Sequence, residues 1–180
     1  KKLGYNFFIS DQFEIKKKFK MELIANSFDF MENGHNKELL LSSNLVVKSP
    51  GIKDSLLLHE VKERGIEIIS EIEFASLFSS TPAIGVTGIN GKTTTATIIH
   101  KLLSDANINC SISGNIGKSF SSVCQKNYDY DIIELSSFQL DGIVNFQPKI
   151  AVLTGISEDH MDRYSSFQKY VDSKFRIVMN

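Results

Sequence analysis

Residues 85–95 read GVTGINGKTTT, from Gly85 to Thr95. A phosphate-binding loop follows the pattern G-x-x-x-x-G-K-[ST], a backbone cradle between a strand and a helix. Counting back from Gly91 and Lys92, the first glycine belongs at position 86, where Val86 stands between Gly85 and Gly88. The context is nevertheless that of the motif. Residues 84–87 form an apolar run of strand length, and from Thr93 onward Ile98, Ile99, Leu102 and Leu103 recur at helical spacing. Gly88 and Gly91 let backbone N–H groups turn toward phosphate oxygens, and the start of the helix adds a positive dipole end. Lys92 suits terminal phosphates, and the Thr93 hydroxyl suits a magnesium ion. The plain alternative is a glycine turn before an ordinary helix. Gly-Lys-Thr in a strand–loop–helix setting argues against it.

Working outward, short apolar runs alternate with amphipathic stretches, which predicts an α/β chain with parallel strands. Strands are expected at residues 5–10, 45–47, 66–69, 84–87, 109–112, 131–134 and 150–153, with a weaker one at 23–25. Helices are expected at 55–64 (Leu56, Leu57 and Val61 at helical spacing), 93–105 and 166–179. The last carries a stripe of Phe167, Tyr170, Val171, Lys174, Phe175 and Val178. Ser79, Ser80, Thr81 and Pro82 form a polar connector, so a boundary is expected near residue 80, after a small α/β unit. A doubly wound unit usually opens with a strand and a glycine-rich turn. None precedes Tyr5, and the last helix runs to the final residue, so missing sequence is expected at both ends.

Composition narrows the function. With 42% hydrophobic and 23% charged residues, the chain of 180 has the balance of a soluble globular protein. A net charge of -1 leaves no global field to recruit nucleic acid or an anionic membrane. No apolar run approaches the ~18 residues that span a bilayer. The basic, then apolar, start soon meets Asp11 and lacks a small-residue cleavage site, unlike a signal peptide. Cys110 and Cys124 have no metal-ligand spacing and read as free cytosolic thiols. Lys16, Lys17, Lys18 and Lys20 read as a solvated helix face rather than an anion site.

Several further segments fall at the carboxyl ends of expected strands, where α/β folds place ligands. DIIELSSFQLD (131–141) closes a strand on Glu134, a position that commonly holds magnesium after a phosphate loop. GISEDHMDRY (155–164) crowds Asp159, His160 and Asp162, which suit a divalent cation or simply cap a polar loop. SGNIGKS (113–119) offers Asn115 to a ligand or to its own turn, and KSPGI (48–52) is equally open. Asp11 closes the first strand and suits either a ribose hydroxyl or a helix cap. Together these loops point to an ATP- or GTP-dependent enzyme without specifying its reaction.

GVTGINGKTTT, SGNIGKS, ELSSFQLD and SEDHMDRY, in this order, resemble the Mur ligases of bacterial cell-wall synthesis. ELSSFQL with EDHMDRY is similar to the D-glutamate-adding branch, as are LVVKSPGI and GIEIISEIE in the N-terminal part. The resemblance implies a Rossmann-like UDP-substrate-binding domain over 1–80, without its opening strand, and the first part of a P-loop, parallel-sheet ATP-binding domain over 81–180. It implies an ATP-dependent ligase joining D-glutamate to UDP-N-acetylmuramoyl-L-alanine through an acyl phosphate, cytoplasmic and monomeric. This chain alone would not complete that reaction.

For the site, the resemblance implies ATP binding by Gly88, Asn90, Gly91, Lys92, Thr93 and Thr94, and catalytic roles for Lys92, His160 and Lys174. It implies two magnesium sites among Thr93, Glu134, His160 and Lys174, the lysine being carbamylated by carbon dioxide. For the substrate it implies Asp11, Ser49, Gly51, Asn115, Ser136 and Gln139. Three departures stand out: Ile89 replaces a threonine or serine, Gly155 replaces an asparagine, and the segment from His160 to Lys174 is one residue short of some relatives. The rival readings are another Mur or folylpolyglutamate-synthase-type ligase, a phosphate-loop kinase or GTPase, and a non-catalytic nucleotide-binding fragment. ELSSFQLD argues against the first rival, and no N-K-x-D guanine motif supports a GTPase.

Overall fold

A computed structural model describes residues 4–179. The elements run β1 (Ile9–Ser10), α1 (Lys17–Ala25), β2 (Phe30–Met31), α2 (Lys37–Leu41), β3 (Leu45–Lys48), α3 (Leu56–Glu63), β4 (Glu67–Ser70) and α4 (Glu71–Ser76). They continue with β5 (Ala83–Thr87), α5 (Lys92–Asp105), β6 (Cys110–Gly114), a 3-10 turn (Phe120–Ser122), β7 (Tyr130–Glu134), α6 (Ser137–Leu140), β8 (Ile150–Leu153) and α7 (Phe167–Met179). Contacts divide the chain into one unit of Lys1–Val46 with Ser55–Glu67 and a second of Val47–Asp54 with Ile68–Asn180. The connector at 79–82 therefore lies inside the second unit, leading into β5.

In the first unit, β1 and β2 pair in parallel with Ile9 opposite Phe30, and α1 crosses between them. The weaker strand expected at 23–25 is instead the last turn of α1. Leu23 to Ala25 continue the helical run begun by Lys17, and a three-residue apolar stretch cannot distinguish strand from helix end. Of the lysine run, Lys17 and Lys18 are exposed on α1, while Lys20 pairs with Glu32. Three short α-helices, α2 in this unit and α4 and α6 in the second, were not expected. α2 and α4 each start on a side-chain cap, Asn36 accepting from Leu39 N and Ser70 from Glu73 N. β3 pairs with β4 as a separate two-stranded sheet.

The second unit is built on a four-stranded sheet of order β6-β7-β5-β8, with every pair parallel. The central strand β5, AIGVT, is buried along its whole length because helices cover both faces, whereas the edge strand β6, CSISG, alternates. Along β5 and β7 the side chains alternate between two cores. Ile84, Val86 and Ile132 face α5, with Ala96 of that helix. Ala83 and Ile133 face the opposite layer, with Ile72 of α4, Leu140 of α6 and Ile177 of α7. Fully burying one such aliphatic side chain contributes about 1.5–3 kcal/mol.

Gly85 explains how α7 comes so close to the sheet. A Cβ there would sit 2.9 Å from Ile177 Cδ1 and 3.1 Å from Pro148 Cγ. With Ile177 over Gly85, one helical turn back brings Lys174 to the carboxyl end of β5. The stripe expected on this helix is offset. Tyr170, Ser173, Lys174 and Ile177 are buried, whereas Phe167, Phe175 and Val178 are exposed. α5 shows a related difference: Ile99 and Leu103 pack inward, but Ile98 and Leu102 are exposed. On α3 it is Leu58 and Val61 that are buried, and Leu56 is exposed.

Candidate functional site

β5 hands the chain directly to the phosphate loop. Gly88 leaves the strand at φ +141°, and a Cβ there would lie 2.1 Å from Thr154 Oγ1. Gly91 caps α5 in the left-handed conformation, φ +78°, and contributes no side-chain cap. The first amides of a 14-residue helix are therefore not taken by a capping side chain, the arrangement in which helix starts receive anions. Three successive loop carbonyls are occupied. Lys174 Nζ donates to Gly88 O (2.9 Å), Lys92 Nζ to Ile89 O (2.8 Å) and Thr154 Oγ1 to Asn90 O (2.6 Å). The Ile89 amide donates to Gly155 O at 3.1 Å, so position 89 uses its backbone for loop packing whatever its side chain.

Parallel register puts Glu134 of β7 opposite Val86, beside the loop. Its carboxylate is 2% exposed and accepts from Thr93 Oγ1 at 2.7 Å and Asn115 Nδ2 at 3.0 Å. The Asn115 amide also donates to Glu134 O at 2.9 Å. Thr93 gives its hydrogen to Glu134 and keeps its lone pairs. That suits a hard, oxygen-seeking cation, and magnesium typically takes one or two protein oxygens and completes its shell with phosphate and water. The Thr93–Glu134 pair fits such an ion. Among the described residues, no group of three His, Cys, Asp or Glu gathers as a metal cage. Of the crowded segment 159–162, Asp159 lies 3.3 Å from His160 Nε2, while Asp162 pairs with Lys53 at 3.8 Å.

Lys174 is 3% exposed and donates to Gly88 O, with Thr87 Oγ1 at 3.4 Å. Burial, then the charge of Lys92, lowers its pKa from 10.5 to about 8, with Asp159 and Asp141 opposing. A buried lysine with a depressed pKa has a usable neutral amine near physiological pH. Its ammonium also stands 5.2 Å over the Tyr170 ring. His160 adopts φ +54°, unusual for a residue with a side chain, and its ring lies 4.9 Å from Phe138.

A cavity of about 350 Å³ is lined by Pro50, Gly51, Gly88, Lys92, Asn115, Ser136, Ser137, Phe138, Asp159, His160 and Lys174. Thus Gly51, Gly88, Lys92, Asn115, Ser136, His160 and Lys174 share one cavity, and Thr93 and Glu134 join it through their bonds to each other and to Asn115. Ser49 stands just before Pro50, and its carbonyl accepts the Ile52 amide. Thr94 lies in the first turn of α5. Gln139 is engaged locally: Ser136 and Gln139 form a reciprocal capping box for α6, with Gln139 Oε1 accepting Ser136 N at 2.9 Å. Asp11 belongs to the first unit, where its carboxylate accepts the Phe13 amide at 2.9 Å. A larger cavity, about 500 Å³, opens at the amino ends of β5 and β8 beside Ala83 and Lys149 and includes none of the expected site residues.

Several contributors escape sequence reasoning. Thr154 ties the phosphate loop to the end of β8 through Asn90 O and Thr87 O. Its only sequence signal is its place directly after a strand. Tyr164 donates to Asp141 at 2.8 Å, stacks on Phe138 at 5.9 Å and contacts Ser173 Oγ at 3.3 Å, joining the loop after β8 to α6 and α7. Burial pushes its phenol up to about 12, so it stays protonated. Cys110 and Cys124 are both free, as expected.

The Mur ligase middle domain matches residues 86–180. A UDP-N-acetylmuramoylalanine–D-glutamate ligase of Christiangramia forsetii is 45% identical over 183 residues, covering 100% of this chain and 41% of the relative. The protein of the same name from Bacteroides thetaiotaomicron is 46% identical, covering 98% of this chain and 40% of the relative. The chain thus spans about two-fifths of the length of these curated relatives. A solved UDP-N-acetylmuramoyl-L-alanyl-D-glutamate–2,6-diaminopimelate ligase superposes with a TM-score of 0.49 at 18% identity, over 74% of this chain and 40% of that one. The family match covers more than half of the 180 residues and includes the loop from Gly88 to Thr94, Glu134 and Lys174, so the chain belongs to the Mur ligase family.

Proposed function

We propose that the protein is the D-glutamate-adding ligase of peptidoglycan precursor synthesis, joining D-glutamate to UDP-N-acetylmuramoyl-L-alanine at the expense of ATP. The observation that carries this reading is the meeting of Gly88, Lys92 and Lys174 at one cavity, with Glu134 joined to it through Thr93 and Asn115, in a chain 45% identical to a ligase of that name. Residues 81–180 are read as the first part of the ATP-binding domain and 1–80 as the UDP-substrate domain. The protein is read as cytoplasmic and monomeric. Among the described residues, no helix is long and apolar enough to cross a membrane.

A carboxylate is a poor electrophile, so the chemistry begins by giving it a leaving group. A carboxylate oxygen of the UDP-sugar substrate attacks the terminal phosphorus of ATP, the bond to ADP breaks and an acyl phosphate forms. The amine of D-glutamate then attacks the acyl carbon, the tetrahedral intermediate expels phosphate, and loss of a proton leaves the amide. The chain's contribution is to bring several anions together. The amides at the start of α5 and the ammonium of Lys92 hold the phosphates. Lys92 spends one of its three donors on Ile89 O and keeps two for phosphate. Thr93 and Glu134 would hold the magnesium of the nucleotide. When bound, that ion neutralises phosphate charge. Lys174, as a carbamate, and His160 would support a second magnesium, and Ser49, Gly51, Asn115, Ser136, Gln139 and Asp11 would hold the UDP-sugar substrate.

The test is phosphate release by the full-length protein. Release should require both UDP-N-acetylmuramoyl-L-alanine and D-glutamate. Release indifferent to D-glutamate, or faster with another amino acid, refutes the assignment. Lys174→Ala should lose activity and regain part of it with a small carboxylate such as formate. Normal unassisted activity in that variant removes the carbamate from the reading.

A further inference from the structure

We propose that Lys174 has a second role as a positioning residue of the phosphate loop, holding the Gly88–Ile89 peptide in the orientation that presents the loop's amides to phosphate. This rests on the proposed ATP-dependent function and concerns the same site. The two ends of that single peptide unit are held from different elements. Its carbonyl, Gly88 O, accepts from Lys174 Nζ of α7 at 2.9 Å, and its amide, Ile89 N, donates to Gly155 O after β8 at 3.1 Å. A peptide held at both ends cannot flip, and a flip here would turn a carbonyl toward bound phosphate.

The neighbouring carbonyls show why this tether matters most. Ile89 O is held by Lys92, whose ammonium also has phosphate to serve. Asn90 O is held by Thr154, a hydroxyl fixed at the end of β8. With phosphate bound, Lys174 and the segment after β8 would be what keeps the loop in place. Lys174 is well placed to be permanent. It is 3% exposed, its neighbour Ser173 donates to Ser137 O at 2.9 Å, and Ile177 one turn later packs over Gly85. The Thr87 hydroxyl, 3.4 Å from Nζ, spends its hydrogen on Leu135 O at 2.8 Å and so offers the lysine a lone pair. Carbamylation replaces one amine hydrogen by a carboxylate and leaves one N–H. The bond to Gly88 O can therefore persist while the new carboxylate serves the metal. One residue would then tie the order of the loop to the chemistry beyond it.

The experiment uses the full-length protein, free of nucleotide and metal, with Lys174→Met, which keeps the apolar stem and removes the donor, and with Lys174→Ala. Hydrogen exchange of the Ile89 amide, which donates to Gly155 O, is read against the amides of β7 as an internal reference. The expected result is a rise of about tenfold or more at Ile89 with β7 unchanged, not reversed by formate even where formate restores turnover. ADP affinity measured in EDTA should fall about tenfold in parallel. Loop exchange within twofold of the wild type overturns the proposal, as does full recovery of loop protection with formate. Loss of protection across β7 in both variants makes Lys174 a core residue and also overturns it. The ligase assignment is judged separately, by the D-glutamate dependence of the unmutated protein, so the two failures are distinguishable.

Discussion

Gly88→Ala is the sharpest test of how the phosphate loop is held. A side chain at φ +141° costs about 1–3 kcal/mol in backbone strain alone. The new Cβ would also sit 2.1 Å from Thr154 Oγ1, with the Thr154 and Gly155 amide nitrogens at 3.1 and 3.2 Å. The hydroxyl must swing away, giving up its bonds to Asn90 O and Thr87 O, at ~1 kcal/mol for the stronger one. The sum is about 2–4 kcal/mol, which for a chain of this size lowers the melting temperature by roughly 10 °C. Calorimetric ADP binding should weaken too, because the loop's first turn is displaced. The discriminating measurement is a double-mutant cycle. In a Thr154→Ala background the clash with the hydroxyl is gone but the strain and the close backbone amides remain, so Gly88→Ala should cost about 1 kcal/mol less there. An equal cost in both backgrounds refutes the steric account, and an unchanged melting temperature refutes the strain as well.

Lys92→Ala should reduce D-glutamate-dependent phosphate release by about 10²–10³-fold, the usual effect of removing one preorganised charge stabiliser; activity within tenfold of the wild type contradicts its role. Burial raises the pKa of Asp131 above 3.8, against hydrogen bonds from Ser111 and Ser79. An acid whose pKa is higher in the folded state stabilises the fold while protonated, and that contribution is lost as pH rises from 3.8 through the folded value. Asp131→Asn should therefore raise the melting temperature at about pH 7 and not at about pH 3, and an equal gain at both contradicts the linkage. Glu73 is buried and accepts the amides of Val144 (2.8 Å), Asn145 (3.0 Å) and Phe146 (2.9 Å), fixing the turn before β8. Glu73→Ala should cost about 3 kcal/mol by removing that shared acceptor, read by urea denaturation, and a loss below about 1 kcal/mol contradicts the clamp.

What could be read in advance and what could not follow from the range of the interactions involved. The strand–loop–helix around Gly88, Gly91 and Lys92 is local, so spacing alone revealed it. Glu134 was legible because a strand ends there, and parallel strands bring their carboxyl ends to one edge whatever their order. The Glu73 clamp was not, because its three amides lie more than 70 residues away and nothing near Glu73 marks it. Lys174 was correctly placed on a buried helix face, yet Phe175 and Val178 were assigned to that face and are exposed. Periodicity finds a stripe but not its rotation. Here Gly85 sets the rotation, by admitting Ile177 where a side chain would exclude it. Ser136 and Gln139 illustrate a different limit. Ser-x-x-Gln is a capping-box pattern, and it is used as one, so a motif read for ligand chemistry also carries a structural duty.

That double duty bears on how the site stays ordered without ligand. Thr93, Asn115 and Glu134 satisfy one another, Lys92 and Lys174 satisfy loop carbonyls, and Ser136 and Gln139 close on themselves. Left unpaired, the buried ones, Glu134, Gln139 and Lys174, would each cost about 1–3 kcal/mol, so mutual pairing holds these side chains near their working positions. Ligand binding then becomes an exchange of bonds with a small net gain for each neutral pair. The large gains belong to the charged partners, where phosphate meets Lys92 and the amides at the start of α5. On this reasoning Asn115→Ala, which leaves one oxygen of a buried carboxylate without its donor, should loosen Glu134 more than it weakens phosphate binding. A metal-free ADP affinity unchanged within threefold, beside a clear loss of magnesium dependence, is the expected pattern; an equal fall in both shows that Asn115 acts on the phosphate itself.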